Sequence, residues 1–273
     1  MTRIAAGGDP RRTMTLLWRS PTEPQAGRPG PKASLSLDAI IDAANVLADE
    51  GSDGSVSLRA VAGRLGCTPM ALYTYVADRR ELLDLMYDAA HATLPEPADG
   101  DWLARTAGWA DGILDCYLRH PWVAEVSFAR SVLGPHEQRA LELLLEALAP
   151  AGLDAPDTAA LVAALFGLAR SSASTIADAR RAAALSDERA WWAARTTALD
   201  EVAPDFAQRF PRSVALAGGV PGSGHDDTST RWAATGADDM PWLERLTRDA
   251  FSRGVSMLLA GAVASAPGRP VPA

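Results

Sequence analysis

Cysteine is scarce in this chain of 273 residues: Cys67 and Cys116 are the only two. Two cysteines build no disulfide framework, and neither has a neighbour at metal-ligand spacing. His91, His120, His136 and His225 are scattered, with no HExxH pair. No GxGxxG, phosphate loop or GxSxG occurs. The expectation is a protein without a metal or cofactor, and not an enzyme. Long hydrophobic runs are also missing. The longest small-and-apolar stretch, residues 159–169, stops at Arg170 and is too short to span a bilayer. Arg11 and Arg12 are followed by Met14, Leu16, Leu17 and Trp18 with threonines between them, which is no secretory h-region. No membrane and a cytoplasmic location are therefore expected. β-Branched alternation is absent, so no strand is predicted.

Positive charge is short as well. The net charge is −8, whereas a bulk polyanion binder is usually basic. The balance is uneven, however. Residues 1–91 are close to neutral, at −1, and residues 92–273 carry −7. Arg59, Arg64, Arg79 and Arg80 against Asp78 alone make residues 55–80 a small basic island of +3.

What is present is helical periodicity. Residues 1–33, with Gly7, Gly8, Pro10, Pro21, Pro24, Gly27, Pro29, Gly30 and Pro31, read as an irregular, flexible extension. From Ser36, the residues Leu37, Ile40, Ile41, Ala44, Leu47 and Ala48 line one helix face, which Gly51 and Gly54 end. Ser57 is placed to cap a short second helix with Leu58, Val61, Ala62 and Leu65 on one side, closed by Gly66. Thr68 and Pro69 suit the cap and first position of a third helix, predicted over 69–76. Asp78 and Glu81 have the spacing of a capping box for a fourth, longer helix. Further helices are predicted near 101–119, 122–130, 135–149, 156–184, 187–201 and 241–262. Residues 211–239 read as a mobile loop. The fold class is all-α.

Two short helices joined through Gly66, Cys67 and Thr68 are a helix-turn-helix arrangement. Leu72 and Val76 are placed to face the core, leaving Thr68, Pro69, Met70, Tyr73 and Thr74 outward, where a recognition helix meets the major groove. Tyr73 and Tyr75 offer hydroxyls of the kind that donate to phosphate.

The run SLRAVAGRLGCTPMALYTYVADRRELL over residues 57–83, with the helix and glycine before it, resembles the DNA-binding signature of the TetR family of transcriptional regulators. The later region is similar, more loosely, to the tetracycline-repressor type of C-terminal domain, with YLRHP at 117–121 and LGP at 133–135 as its best pieces. The resemblance implies a helix-turn-helix domain over 34–80 joined by a long helix to an effector-binding and dimerisation domain over 81–273. It implies a homodimeric repressor that binds double-stranded operator DNA and is released by a small-molecule effector. Ser57 and Arg59 sit where the second helix reaches DNA, and Thr68, Pro69, Met70 and Thr74 occupy base-facing positions. Tyr73 and Tyr75 occupy backbone-contacting positions, and Arg79 stands where the family usually has Lys. Pro69 and Met70 have no side-chain donor, so base readout there would rest on apolar contact with thymine methyls. Arg28 and Lys32, on the extension, are placed to enter the minor groove. Trp109, Phe128, Phe166 and Arg170 are weak candidates for effector contact. The competing reading is a helical interaction protein whose helix-turn-helix no longer meets DNA.

Overall fold

The computed structural model describes residues 3–20, 35–51, 55–96, 99–127, 129–216 and 240–265. It divides into two compact units, residues 1–174 with 249–273, and residues 175–248. The expected functional division at residue 80 does not coincide with that packing boundary.

The first unit begins with a departure from expectation. Residues 3–18 are not irregular. Arg3–Ile4 form strand β1, and Pro10–Leu17 form helix α1, capped by the Asp9 side chain accepting from the amide of Arg12. Pro10 was counted as a helix breaker, yet at the first helical position its missing N–H costs nothing. Ala5, Thr13 and Leu17 are buried, which makes this segment a strap packed on the body.

Helices α2 (Leu37–Glu50), α3 (Leu58–Leu65), α4 (Pro69–Leu72) and α5 (Arg79–His91) follow where the periodicity places them. Ser36 and Ser57 cap α2 and α3 by accepting from Ala39 and Ala60. Gly66 ends α3 at φ +67°, a left-handed conformation that disfavours side chains. The third helix is shorter than predicted. After Leu72 the chain tightens into a turn in which the amides of Tyr75 and Val76 share the Leu72 carbonyl. The Asp78 carboxylate caps α5 through Arg80 and Glu81. Glu81 completes a modified capping box, accepting from the amide of Ala77 at 2.6 Å.

Helices α6 (Trp102–Arg119) and α7 (Pro135–Leu148) also match their predicted spans closely. The helix expected over 122–130 does not form. A 3-10 turn at Val123–Glu125 leads into strand β2, Val126–Ser127, which pairs in parallel with β1. Its partner comes from the N-terminal segment, so no local periodicity could reveal it. Gly134 lies against α5 so closely that an added Cβ would collide with the Asp88 carboxylate. That carboxylate accepts from the amides of His136 and Glu137, both at 2.9 Å, capping α7 from another helix.

Helix α8 (Ala155–Leu185) is long and apolar enough, by length and composition, to cross a membrane. Counting unbroken apolar runs missed this because Arg170 interrupts the run. Leu161, Leu165, Ala169 and Ala173 of its first-unit portion are buried within the protein, and about a third of the apolar window is buried in all (33%).

In the second unit lie the end of α8, α9 (Glu188–Val202), α10 (Phe206–Arg209), α11 (Pro211–Leu216) and the start of α12 (Trp242–Ser265). The α11 helix corrects the loop expected from residue 211; residues 217–239 lie outside the described ones. Glu244 is buried and held by Arg180 at 2.7 Å and Arg248 at 3.0 Å, which lower its carboxyl pKa. Trp191, Trp192 and Trp242 stack edge to face, so they serve packing.

Candidate nucleic-acid interface and ligand cavity

The turn and α4 present the side chains that the sequence marks as outward. Leu72 and Val76 are fully buried and anchor the segment. Met70 is 74% exposed and Tyr73 50%, and Thr68, Pro69 and Thr74 are exposed beside them. The Thr68 side chain makes no cap bond, which leaves its hydroxyl available, whereas Thr74 donates to the Ala71 carbonyl. Ser57, Arg59 and Arg79 are exposed, and no carboxylate pairs with either arginine among the described residues. Arg64 is neutralised by Glu50 at 2.8 Å.

Tyr75 departs from its expected role. It is half-buried, and its hydroxyl donates to the Leu35 carbonyl at 2.6 Å. Its single proton is committed there, so Tyr75 braces the turn against the chain before α2 and has none left for a phosphate.

The body behind this segment contains a cavity of about 450 Å³ between α5, α7 and α8, with Arg130 and Ser131 on its rim. Val162, Ala163, Phe166, Ala140 and Leu141 supply apolar wall, and Tyr87, His91, Glu137 and Gln138 supply polar groups. Nδ1 of His91 lies 2.8 Å from the Tyr87 carbonyl, so that nitrogen carries the proton. Burial lowers the His91 pKa and raises that of Tyr87, so both stay neutral near pH 7. Glu137 is tied into the rim, accepting from Ser131 at 2.8 Å and from the amide of Leu133 at 2.6 Å. The cavity is thus an apolar slot with the neutral Tyr87 and His91 at one wall and the ionisable Arg130 and Glu137 at its rim. That is the usual make-up of a small-molecule site.

Residues 94–229 match the family model for the tetracyclin repressor-like C-terminal domain. The HTH-type transcriptional repressor DrrR1 of Streptomyces coeruleorubidus is 35% identical over 222 residues, 79% of this chain and 80% of that protein. An HTH-type transcriptional regulator of Saccharopolyspora erythraea is 29% identical over 86% of this chain and 87% of its own length. Among solved structures, the TetR family protein ActR of Streptomyces coelicolor in complex with actinorhodin superposes with a TM-score of 0.62. It is 24% identical, over 86% of this chain and 99% of that one. The chain belongs to the TetR family of transcriptional regulators.

The all-α class and the family resemblance read from the sequence therefore stand. Of the weak effector candidates, Phe166 lines the cavity. Trp109 does not; it packs edge-on behind Phe166 with its N–H on the Ala140 carbonyl, at 2.8 Å. Arg170 is not on the lining either, although its charge is felt by Tyr87 and Tyr117. Phe128, Arg28 and Lys32 lie outside the described residues. The sequence reading missed Tyr87, His91, Glu137 and Gln138. Tyr87 and His91 carried a signal, being large polar-tipped residues at i, i+4 on one helix face. His120 sits at the end of α6 with Nδ1 2.9 Å from Asp49.

Proposed function

We propose that this TetR-family regulator is a homodimeric repressor that reads double-stranded operator DNA with Thr68, Pro69, Met70, Tyr73 and Thr74. Ser57, Arg59 and Arg79 hold the phosphates on either side. The carrying observation is the outward face of α4 and its turn, anchored by the fully buried Leu72 and Val76 and flanked by two arginines with no carboxylate partner among the described residues. A rigid, exposed segment with free cations at its edges suits docking in a major groove. Arg28 and Lys32, ten and fourteen residues after Trp18 in the sequence, would follow the duplex into the minor groove. Small residues exposed on α8 (Ala160, Ala163, Gly167) and on α12 (Ala260, Gly261), together with Met257, support a helix bundle with a second copy. The protein would work in the cytoplasm.

The release signal would be a small molecule in the 450 Å³ cavity. ActR, of similar fold, has been solved with actinorhodin. Neutral Tyr87 and His91 opposite Phe166 and Leu141 suit a ring system carrying hydroxyl or carbonyl groups. A ligand preferring the conformation with mismatched half-site spacing lowers operator affinity by population shift.

Selection of duplex fragments from its own genome tests the reading. A palindromic site bound by a dimer, with affinity falling steeply as salt rises, is expected. Failure to enrich any fragment would reject it. In the same assay Arg28→Ala with Lys32→Ala should weaken binding and flatten the salt dependence; unchanged values remove the arm from the scheme.

A further inference from the structure

The strap, residues 3–18, touches two places that the proposed function makes important. At one place it reaches the operator-reading turn. Nε of Arg12 donates to Glu81 at 3.0 Å, and Nη2 donates to the Tyr75 carbonyl at 3.1 Å. Glu81 is the carboxylate that also holds the amide of Ala77, so Arg12 closes a cycle around the link between α4 and α5. At the other place the strap holds the rim of the cavity. Nε1 of Trp18 donates to the Leu133 carbonyl at 2.9 Å, and β1 pairs with β2 just before the rim. Between them, the amide of Ala6 donates to Asp84 of α5 at 2.7 Å.

Backbone strain marks the same contacts. Among the described residues, Ala6 (φ +54°) and Leu133 (φ +59°) are the non-glycines in the left-handed region. Each is pinned through its amide, Ala6 on Asp84 and Leu133 on Glu137, and Leu133 is held again by Trp18. Such conformations persist only where the surroundings over-determine them. The Leu133 segment touches both the cavity rim and the strap: Glu137 lines the cavity and grips Leu133 from one side, while Trp18 grips it from the other.

We infer that residues 3–18 form a coupling strap between the cavity rim and the operator-reading turn, with Arg12 the positioning residue at the turn and Trp18 the contact at the rim. This adds a second route beside α5, the long helix expected to join the two regions. The inference takes the identity of the turn and the cavity from the proposed function. A ligand that displaces Glu137 or the 130–133 rim would loosen Leu133, release Trp18 and, through α1, weaken the hold of Arg12 on the turn.

Hydrogen exchange on the full-length protein tests this without a ligand. Glu137→Gln removes the charge that grips Leu133 and Ser131, and Trp18→Phe removes the N–H bond to Leu133 while keeping an aromatic ring at the position. Each should speed exchange of the amides at 73–82 about 3–30-fold, the range for perturbations along a coupled network. In an Arg12→Met background, Glu137→Gln should add nothing further at 73–82. Arg12→Lys should restore part of the protection, because an ammonium reaches the carboxylate or the carbonyl but not both in the same geometry. Effects of Glu137→Gln and Trp18→Phe confined to 126–140, or effects that simply add to that of Arg12→Met, overturn the inference. If Arg12→Met loosens every helix, Trp18→Phe decides alone. On DNA fragments selected by the unmodified protein, Arg12→Met should also weaken binding about 3–30-fold. Should the protein select no DNA, the proposed function falls, while the exchange cycle still judges the strap.

Discussion

Under the proposed function, Met70 and Arg79, both exposed, would act on one duplex in different ways. Arg79 has no internal partner among the described residues, so its charge is free for phosphate. Arg79→Ala should weaken operator binding about equally across sequence variants and reduce the salt slope by about 1, read by fluorescence anisotropy at several salt concentrations. Met70 is 74% exposed and has no donor. Met70→Ala should leave the salt slope alone and cost about 1–3 kcal/mol at sites whose thymine methyl it covers. Gly134 makes the complementary point inside the protein. Its φ is ordinary, so freedom of the backbone is not what requires glycine. The Asp88 carboxylate occupies the space a side chain would need. Gly134→Ala should destabilise the fold by about 1–3 kcal/mol in urea melts, through overpacking against a carboxylate that caps α7.

At the scale of the element, helix α5 is the part on which everything else is hung. Its residues meet the strap through Asp84 and Glu81, the cavity through Tyr87 and His91, and α7 through Asp88. Those inward polar groups were legible in the sequence only as helix positions. Nothing local says that an Asp at 84 meets an amide at 6, or that one at 88 caps a helix at 135, because both partners arrive from distant chain segments. Burial raises the Asp84 carboxyl to about 6, against the opposing pull of the Ala6 and Gly8 amides, and Asp78 and Glu81 add to the rise. The unfolded group titrates near ~4. Between these values the folded chain keeps the proton and the unfolded chain does not. This group's contribution therefore favours the folded state most below about 4 and is lost as the pH rises through about 6. Unfolding by urea across that window should show the decline, and Asp84→Asn should flatten it. A decline that persists in Asp84→Asn would assign it to another group.

For the whole molecule the deciding matter is association. Ala160 on α8 and Met257 on α12 expose small or apolar surface that, under the proposed function, meets a second copy. A homodimer makes thermal stability rise with protein concentration. Ala160→Arg combined with Met257→Asp should abolish that dependence, give a single-chain mass by sedimentation, and cost operator affinity about a hundredfold or more, because one half-site is bound instead of two. Retained dimerisation in that double variant would move the interface elsewhere.

Amphipathic spacing and caps are local properties, and so the sequence by itself determined the helices. Leu37, Ile40, Ile41 and Ala44 recur at helical period, Ser36, Ser57 and Asp78 cap, and Gly66 stops α3, all within a few residues of what they control. The outward face of Thr68, Pro69, Met70, Tyr73 and Thr74 was legible for the same reason, once Leu72 and Val76 were assigned inward. Tertiary structure alone decided what depends on partners far along the chain. It turned the glycine- and proline-bearing start into a strap, replaced a predicted helix at 122–130 with a strand that needs β1, and diverted the Tyr75 hydroxyl to Leu35. It also gathered Tyr87, His91, Glu137 and Phe166 around one cavity. A hydrogen bond or a cavity wall is set by proximity in space, and periodicity along a chain carries no record of which distant segment will supply the other half.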